Sequence, residues 1–122
     1  MILIDTSCWI EALRERGNIE IRRRLQEHVH GGRACWMPVI RLELWNGARG
    51  DREKKALREF ETVMPELEMT NDVWDIACHL ARRARAAGLS IPATDLMIAA
   101  CARHHGVEIE SLDAHFAALE KL

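Results

Sequence analysis

Met1-Ile2-Leu3-Ile4-Asp5-Thr6-Ser7-Cys8-Trp9-Ile10 is the stretch that decides the fold. A short apolar run leads directly into a carboxylate. Such a run reads as a buried strand over about residues 1–5. Trp9, Ile10 and Leu13 are then spaced for one helical face, so a helix follows until Gly17-Asn18 breaks it.

Outward from that unit the alternation repeats. Ile19 to about Val29 predicts a helix with Ile21, Leu25 and Val29 on its apolar side, ended by Gly31-Gly32. Arg33 to Val39 predicts a strand, with Pro38 near its end. Ile40 to Ala48 predicts a helix carrying Glu43, weakened or ended by Gly47 and Gly50. Asp51 to Met64 predicts another, stopped by Pro65, and Leu67 to Thr70 a short strand. The longest clear helix runs from about Asp72 to Ala87, with Gly88 as its stop. Pro92 suits the first turn of a helix reaching about His105; it is apolar on most sides, so it should be deeply packed. Val107 to Leu112 predicts the last strand and Asp113 to Leu119 the last helix.

Strands alternating with helices imply an α/β protein whose mainly parallel sheet is covered on both faces. With 122 residues and no linker, repeat or low-complexity segment, residues 1–122 read as a single domain. Ligands in such sheets bind beyond the carboxyl ends of the strands. Asp5 and Asp113 follow the first and last strands, at that edge.

Composition narrows the function. Hydrophobic residues make up 48% and charged residues 30%, and no apolar stretch approaches the length of a membrane span. No basic segment precedes the first apolar run, so it does not read as a signal peptide, and a cytoplasmic location is the expectation. Cys8, Cys35, Cys78 and Cys101 lack zinc spacing and read as reduced core residues. The formal charge of −2 looks wrong for a nucleic-acid binder, but discounting four neutralised carboxylates would make it +2. Local basic runs (Arg22-Arg23-Arg24; Arg49, Arg52, Lys54 and Lys55; Arg82-Arg83 with Arg85) matter more for phosphate than net charge does. Each taken singly reads as a solvated helix face.

Those carboxylates are Asp5, Glu43, Asp95 and Asp113. Asp95 is the only charged residue between Ile91 and Ala102. A buried, unpaired carboxylate is costly, so such groups are paired, protonated or bound to metal. Each acid also has an ordinary reading: Asp5 and Asp113 as helix N-caps, Asp95 as a charge at the positive end of a helix, Glu43 as a surface residue. All four fall just after strands or in early helix turns. Together they point to Mg²⁺ or Mn²⁺, since hard cations prefer oxygen, and to phosphodiester hydrolysis by a metal-activated water. Ser7 is a further polar candidate; Thr6 reads as an ordinary cap.

The motifs that carry these acids resemble those of the PIN-domain family, especially its VapC-type toxins. Ile2-Leu3-Ile4-Asp5-Thr6-Ser7-Cys8-Trp9-Ile10 resembles the first motif. Pro38-Val39-Ile40-Arg41-Leu42-Glu43-Leu44 resembles the second, Pro92-Ala93-Thr94-Asp95-Leu96-Met97-Ile98-Ala99-Ala100 the third, and Leu112-Asp113-Ala114-His115-Phe116 the fourth. The resemblance implies a three-layer α/β/α fold with about four strands in the order 3-2-1-4. It implies a metal-dependent endoribonuclease, the toxin of a type II toxin–antitoxin pair. Asp5 and Asp95 would be the firmest metal ligands, with Glu43 and Asp113 completing the site directly or through water. It further implies an RNA substrate, a VapB-like antitoxin that covers the site, a toxin homodimer and a toxin–antitoxin hetero-oligomer.

Rival readings make different demands. A haloacid-dehalogenase phosphatase also begins with a strand-end Asp but wants a second one two residues later, where this chain has Ser7. A receiver domain wants an acidic pair near the first strand and a late-strand lysine, and finds neither. A PIN-like module that binds RNA or protein without cutting stays open at this level. Trp9 and Trp45 flank two of the acids; core packing is the ordinary reading and a groove for an antitoxin peptide the sharper one. His104-His105 reads as a helix C-terminal feature, and His115 as a minor candidate for phosphate contact.

Overall fold

The computed structural model describes residues 1–122. Strands β1 (Ile2–Ile4), β2 (Ala34–Cys35) and β3 (Glu108–Glu110) form one sheet in the order β2-β1-β3. All pairings are parallel; Leu3 lies opposite Cys35 on one side and Ile109 on the other. Seven helices complete three α/β/α layers: α1 (Thr6–Leu13), α2 (Ile19–His30), α3 (Pro38–Gly47), α4 (Gly50–Val63), α5 (Asn71–Ala86), α6 (Ala93–His105) and α7 (Ala114–Glu120).

The strand expected over Leu67 to Thr70 is not formed. The sheet therefore has three strands where about four were expected, and only an isolated parallel bridge, Trp36 to Glu66, stands beside β2 where the expected edge strand would lie. Trp36 N–H donates to Pro65 O (3.1 Å) and Leu67 N–H to Trp36 O (2.8 Å). Pairing stops there because the chain after Trp36 turns at once into α3, with Met37 as its N-cap, and Pro65 on the other side has no N–H to give. The second strand is also shorter than expected. Pro38 starts α3 rather than closing a strand, as suits a residue with no N–H to give a ladder.

A single cluster of 25 buried residues forms the core. Trp9 stands at its centre, fully buried between Trp36 (ring centroids 5.4 Å) and Phe60 (4.9 Å, edge-on). Its indole N–H donates to Ile4 O (3.0 Å), which ties α1 to the end of β1. Trp9 is therefore core, the ordinary reading. Helix α6 buries Ile98, Ala99, Ala100, Cys101 and Ala102, and its small residues let α5 pack closely. Cys8, Cys35 and Cys101 are buried free thiols as expected; Cys78 is exposed, contrary to its reading as core. Cys78 lies beside Ala77 on α5, one step off the buried stripe of Val73, Ala77, Leu80 and Ala84.

The first basic run serves the fold. Arg22 donates to the carbonyls of Ala12 and Arg14 at the end of α1, Arg23 pairs with Glu20 and Glu27, and Arg24 pairs with Glu110. Lys54, Lys55, Arg82, Arg83 and Arg85 are exposed. No helix is long and apolar enough to cross a membrane.

Candidate active site

Asp5 leaves β1 with its N–H still in the ladder, donating to Glu110 O at 2.9 Å. Its side chain then caps α1, accepting from Ser7 N–H. Asp5 is only 4% exposed and is the one buried charged residue of the chain. Such a burial needs donors. The hydroxyls of Ser7 and Ser111 both donate to Asp5 Oδ2 at 2.8 Å. Each hydroxyl also accepts from the backbone: Leu112 N–H donates to Ser7 Oγ and Asp113 N–H to Ser111 Oγ. Two serines thus stitch the ends of β1 and β3 together around one carboxylate oxygen.

Glu43 reaches the same end of the sheet from the middle of α3, and Thr6 Oγ1 donates to its Oε1 at 2.9 Å. Thr6 is therefore not an ordinary cap; Asp5 is the cap, which frees the threonine hydroxyl for Glu43. Asp95 lies in the first turn of α6, where the helix dipole favours an anion. Asp113 caps α7, its Oδ1 accepting from His115 N–H at 3.0 Å. The ordinary cap readings of Asp5 and Asp113 hold, and both acids still face the site. His115 joins the two last acids: its Nδ1 lies 2.7 Å from Asp95 Oδ2 and 3.0 Å from Asp113 Oδ1.

The acids sense one another. Burial pushes the Glu43 carboxyl above its ordinary value, and the charges of Asp5 and Asp95 push the same way against the Thr6 hydrogen bond. Burial likewise raises Asp95; the His115 hydrogen bond opposes this, and the charges of Asp113 and Asp5 add to it. The hydrogen bond to Asp95, with the charges of Asp113 and Asp95, raises the His115 imidazole against a desolvation cost. No lysine or arginine comes within ion-pair reach of any of the four acids.

The donor geometry leaves a consistent remainder. Asp5 Oδ1, Glu43 Oε2, Asp95 Oδ1 and Asp113 Oδ2 receive no protein donor, while the other oxygen of each carboxyl does. Four half-satisfied, mutually repelling carboxyls without a fixed cation fit an oxygen-seeking divalent ion.

Sequence reasoning missed Ser111 and underweighted Thr6 and His115. The signal for Ser111 was its place between the last strand and Asp113, where a hydroxyl can bond the backbone two residues on. Beside Glu43 a groove of about 490 Å³ opens between α1, α3 and α4, lined by Ile10, Leu13, Arg14, Leu44 and Arg49 among others. Neither Trp9 nor Trp45 lines it; the Trp45 indole N–H donates to Glu61 (3.1 Å).

The model of the PIN domain matches residues 2–122. The chain belongs to the PIN-domain family. Over 127 aligned positions this PIN domain is 34% identical to a VapC ribonuclease of Mycobacterium bovis, covering all of this chain and 93% of that protein. The same figures relate it to ribonuclease VapC11 of Mycobacterium tuberculosis. Among solved structures, FitAcB from Neisseria gonorrhoeae superposes with a TM-score of 0.75 at 22% identity, covering 98% of this chain and 94% of that one. VapBC2 from Rickettsia felis, bound to a fragment of its promoter DNA, gives 0.75 at 13% identity over 93% of this chain and 89% of that one. VapC20 of Mycobacterium tuberculosis, a toxin that cleaves the sarcin–ricin loop, gives 0.72 at 23% identity over 97% and 94%. At these identities the structural likeness speaks to the fold of the PIN domain.

Proposed function

We propose that this PIN domain, over residues 1–122, is the toxin of a VapBC-like pair and cuts RNA in the cytoplasm as a divalent-metal-dependent endoribonuclease. The observation that carries the reading is the set of four carboxyls, each with one oxygen held by the protein and the other free. The ribonuclease names of the relatives at 34% identity support the choice of substrate. Antitoxin complexes among the structural neighbours support a VapB-like partner.

Asp5 and Asp95 would hold Mg²⁺ or Mn²⁺ most firmly, with Glu43 and Asp113 acting directly or through water. When bound, the ion would activate a water and neutralise charge on the scissile phosphate. The chain's own part is to preorganise. Ser7 and Ser111 fix one oxygen of Asp5 and leave the other without a protein donor. Thr6 does the same for Glu43. Exposed Arg14 and Arg49, on the groove that begins at Glu43, supply positive charge for a phosphate backbone. Unpaired loops of structured RNA are the natural substrate, since their bases and backbone are accessible. The same groove suits an antitoxin segment, and homodimers and toxin–antitoxin hetero-oligomers are the expected assemblies, which light scattering with and without the partner would count.

The test is cleavage of a stem-loop RNA with Mg²⁺, Mn²⁺ or EDTA, by the native chain and by Asp5→Asn and Asp95→Asn. Metal-dependent cutting that leaves no 2′,3′-cyclic phosphate is expected, with loss of about 100-fold or more in each variant. Undiminished cutting in EDTA or in highly purified Asp95→Asn protein refutes the proposal. Binding of RNA without any cutting would favour a non-catalytic PIN-like module instead.

A further inference from the structure

His115 is placed in this site by three independent features. Its backbone N–H is held by Asp113, whose own N–H is held by Ser111. The next residue, Phe116, is anchored in the core at 6% exposure. The ring therefore hangs from a fixed turn with Nδ1 directed at both Asp95 and Asp113. The other ring nitrogen takes no protein partner, and the side chain is 36% exposed.

We infer that His115 Nδ1 is a direct ligand of the metal held by Asp95 and Asp113, and that the nitrogen makes the site prefer Mn²⁺ to Mg²⁺. The inference rests on the metal-dependent reading above and deepens it. Around an octahedral ion with bonds of about 2.1 Å, neighbouring donor atoms stand about 3 Å apart. The Nδ1 distances of 2.7 Å to Asp95 Oδ2 and 3.0 Å to Asp113 Oδ1, polar contacts in the metal-free protein, match that edge, so the ion would take the place of the Nδ1 hydrogen and draw on the oxygens that His115 now holds. One ligand atom from each of Asp95, Asp113 and His115 lies within 4.8 Å of the other two. Residue type adds a second argument. An arginine or lysine here would neutralise the acids permanently and compete with an ion. An imidazole nitrogen can instead serve as a metal ligand through Nδ1 while Nε2 carries the ring hydrogen. Mg²⁺ strongly favours oxygen and gives up its waters reluctantly, so a nitrogen donor helps it least.

The test uses the intact chain loaded with Mn²⁺. Pulsed electron paramagnetic resonance should show a ¹⁴N hyperfine coupling that changes to the ¹⁵N pattern with ¹⁵N-histidine and vanishes in His115→Ala. By titration calorimetry, His115→Ala should weaken Mn²⁺ binding about tenfold or more and Mg²⁺ binding less than threefold. Long-range ¹H–¹⁵N spectra of the native chain, which need no variant, should show the His115 ring nitrogens broadened first as Mn²⁺ is added. Mn²⁺ that binds in an Asp95-dependent way without nitrogen coupling would overturn the ligand role alone. Tighter Mn²⁺ binding in His115→Ala would recast the histidine as a competitor and overturn it too. Failure of Mn²⁺ to bind at all, or binding indifferent to Asp95→Asn, would sink the metal site with it.

Discussion

Ser111 shows how much of this site is carried by residues with no charge. Its hydroxyl donates to Asp5 and accepts from Asp113 N–H, so it fixes two of the four acids at once. Ser111→Ala strips a donor from a buried carboxylate and leaves a backbone N–H short of its acceptor. A loss of about 1–3 kcal/mol in urea unfolding is expected, together with reduced cleavage. Asp5→Asn is different. Asparagine still caps a helix and still accepts from both serines, so stability should stay within about 1 kcal/mol while cleavage is lost. The pH dependence follows from the same groups. Glu43 and Asp95 titrate higher in the folded chain than when free, so they favour folding when protonated and disfavour it once ionised. His115 is raised as well, so its contribution is present at low pH and fades as pH rises through its shifted value. Both effects make the metal-free protein lose stability as pH climbs from the ordinary carboxylate range toward and past that of histidine. Melting curves in EDTA should show this slope, which Mn²⁺ should flatten by binding the folded state. An unchanged slope in Asp95→Asn would argue that other groups set it.

At the scale of elements, helices were more legible than strands. The helix from Asp72 to Ala87 was expected from its apolar stripe and its glycine stop, and α5 spans Asn71–Ala86. Strands were overextended because an apolar run records burial, while strand length is set by what pairs beside it. Arg33 to Val39 reads as seven strand residues, yet only Ala34–Cys35 pair as a strand before Pro38 turns the chain into α3. Helix α6 ends where Gly106 adopts φ +67°, and no heavy atom lies within 4 Å of a side chain added there. Gly106→Ala should therefore cost only the left-handed backbone strain, about 1–2 kcal/mol, measurable as a lowered midpoint in urea. That turn also delivers β3 to the sheet. A loss much above this would mean that the strand itself had been displaced.

For the whole molecule, the core around Trp9 supports the end of β1 from which Asp5 enters the site. The same residue packs on Trp36 and Phe60 and holds the carbonyl just before Asp5. Trp9→Ala should cost about 3–5 kcal/mol, enough to unfold a marginal domain, which circular dichroism would register. Thiol reactivity offers a gentler probe. Burial pushes the Cys8 and Cys101 thiols up to about 11, and Cys35 is also raised and buried. Cys78 is exposed. At neutral pH one thiol should react promptly with an aromatic disulfide reagent, and the other three only as fast as the protein opens.

The order of apolar runs and helical stripes was enough to establish an α/β chain with acids at the carboxyl ends of its strands. The motifs around Asp5 and Asp95 were enough to indicate the family, because strand ends and helix starts are local properties of sequence. Folding alone decided that Ser7 and Ser111, 104 residues apart, share one oxygen of Asp5. It also turned Thr6 toward Glu43, directed His115 at Asp95 and Asp113, and left one oxygen of every acid without a donor. Those features are contacts between distant segments. They are fixed by how β1 and β3 lie side by side, which no local pattern of residues encodes.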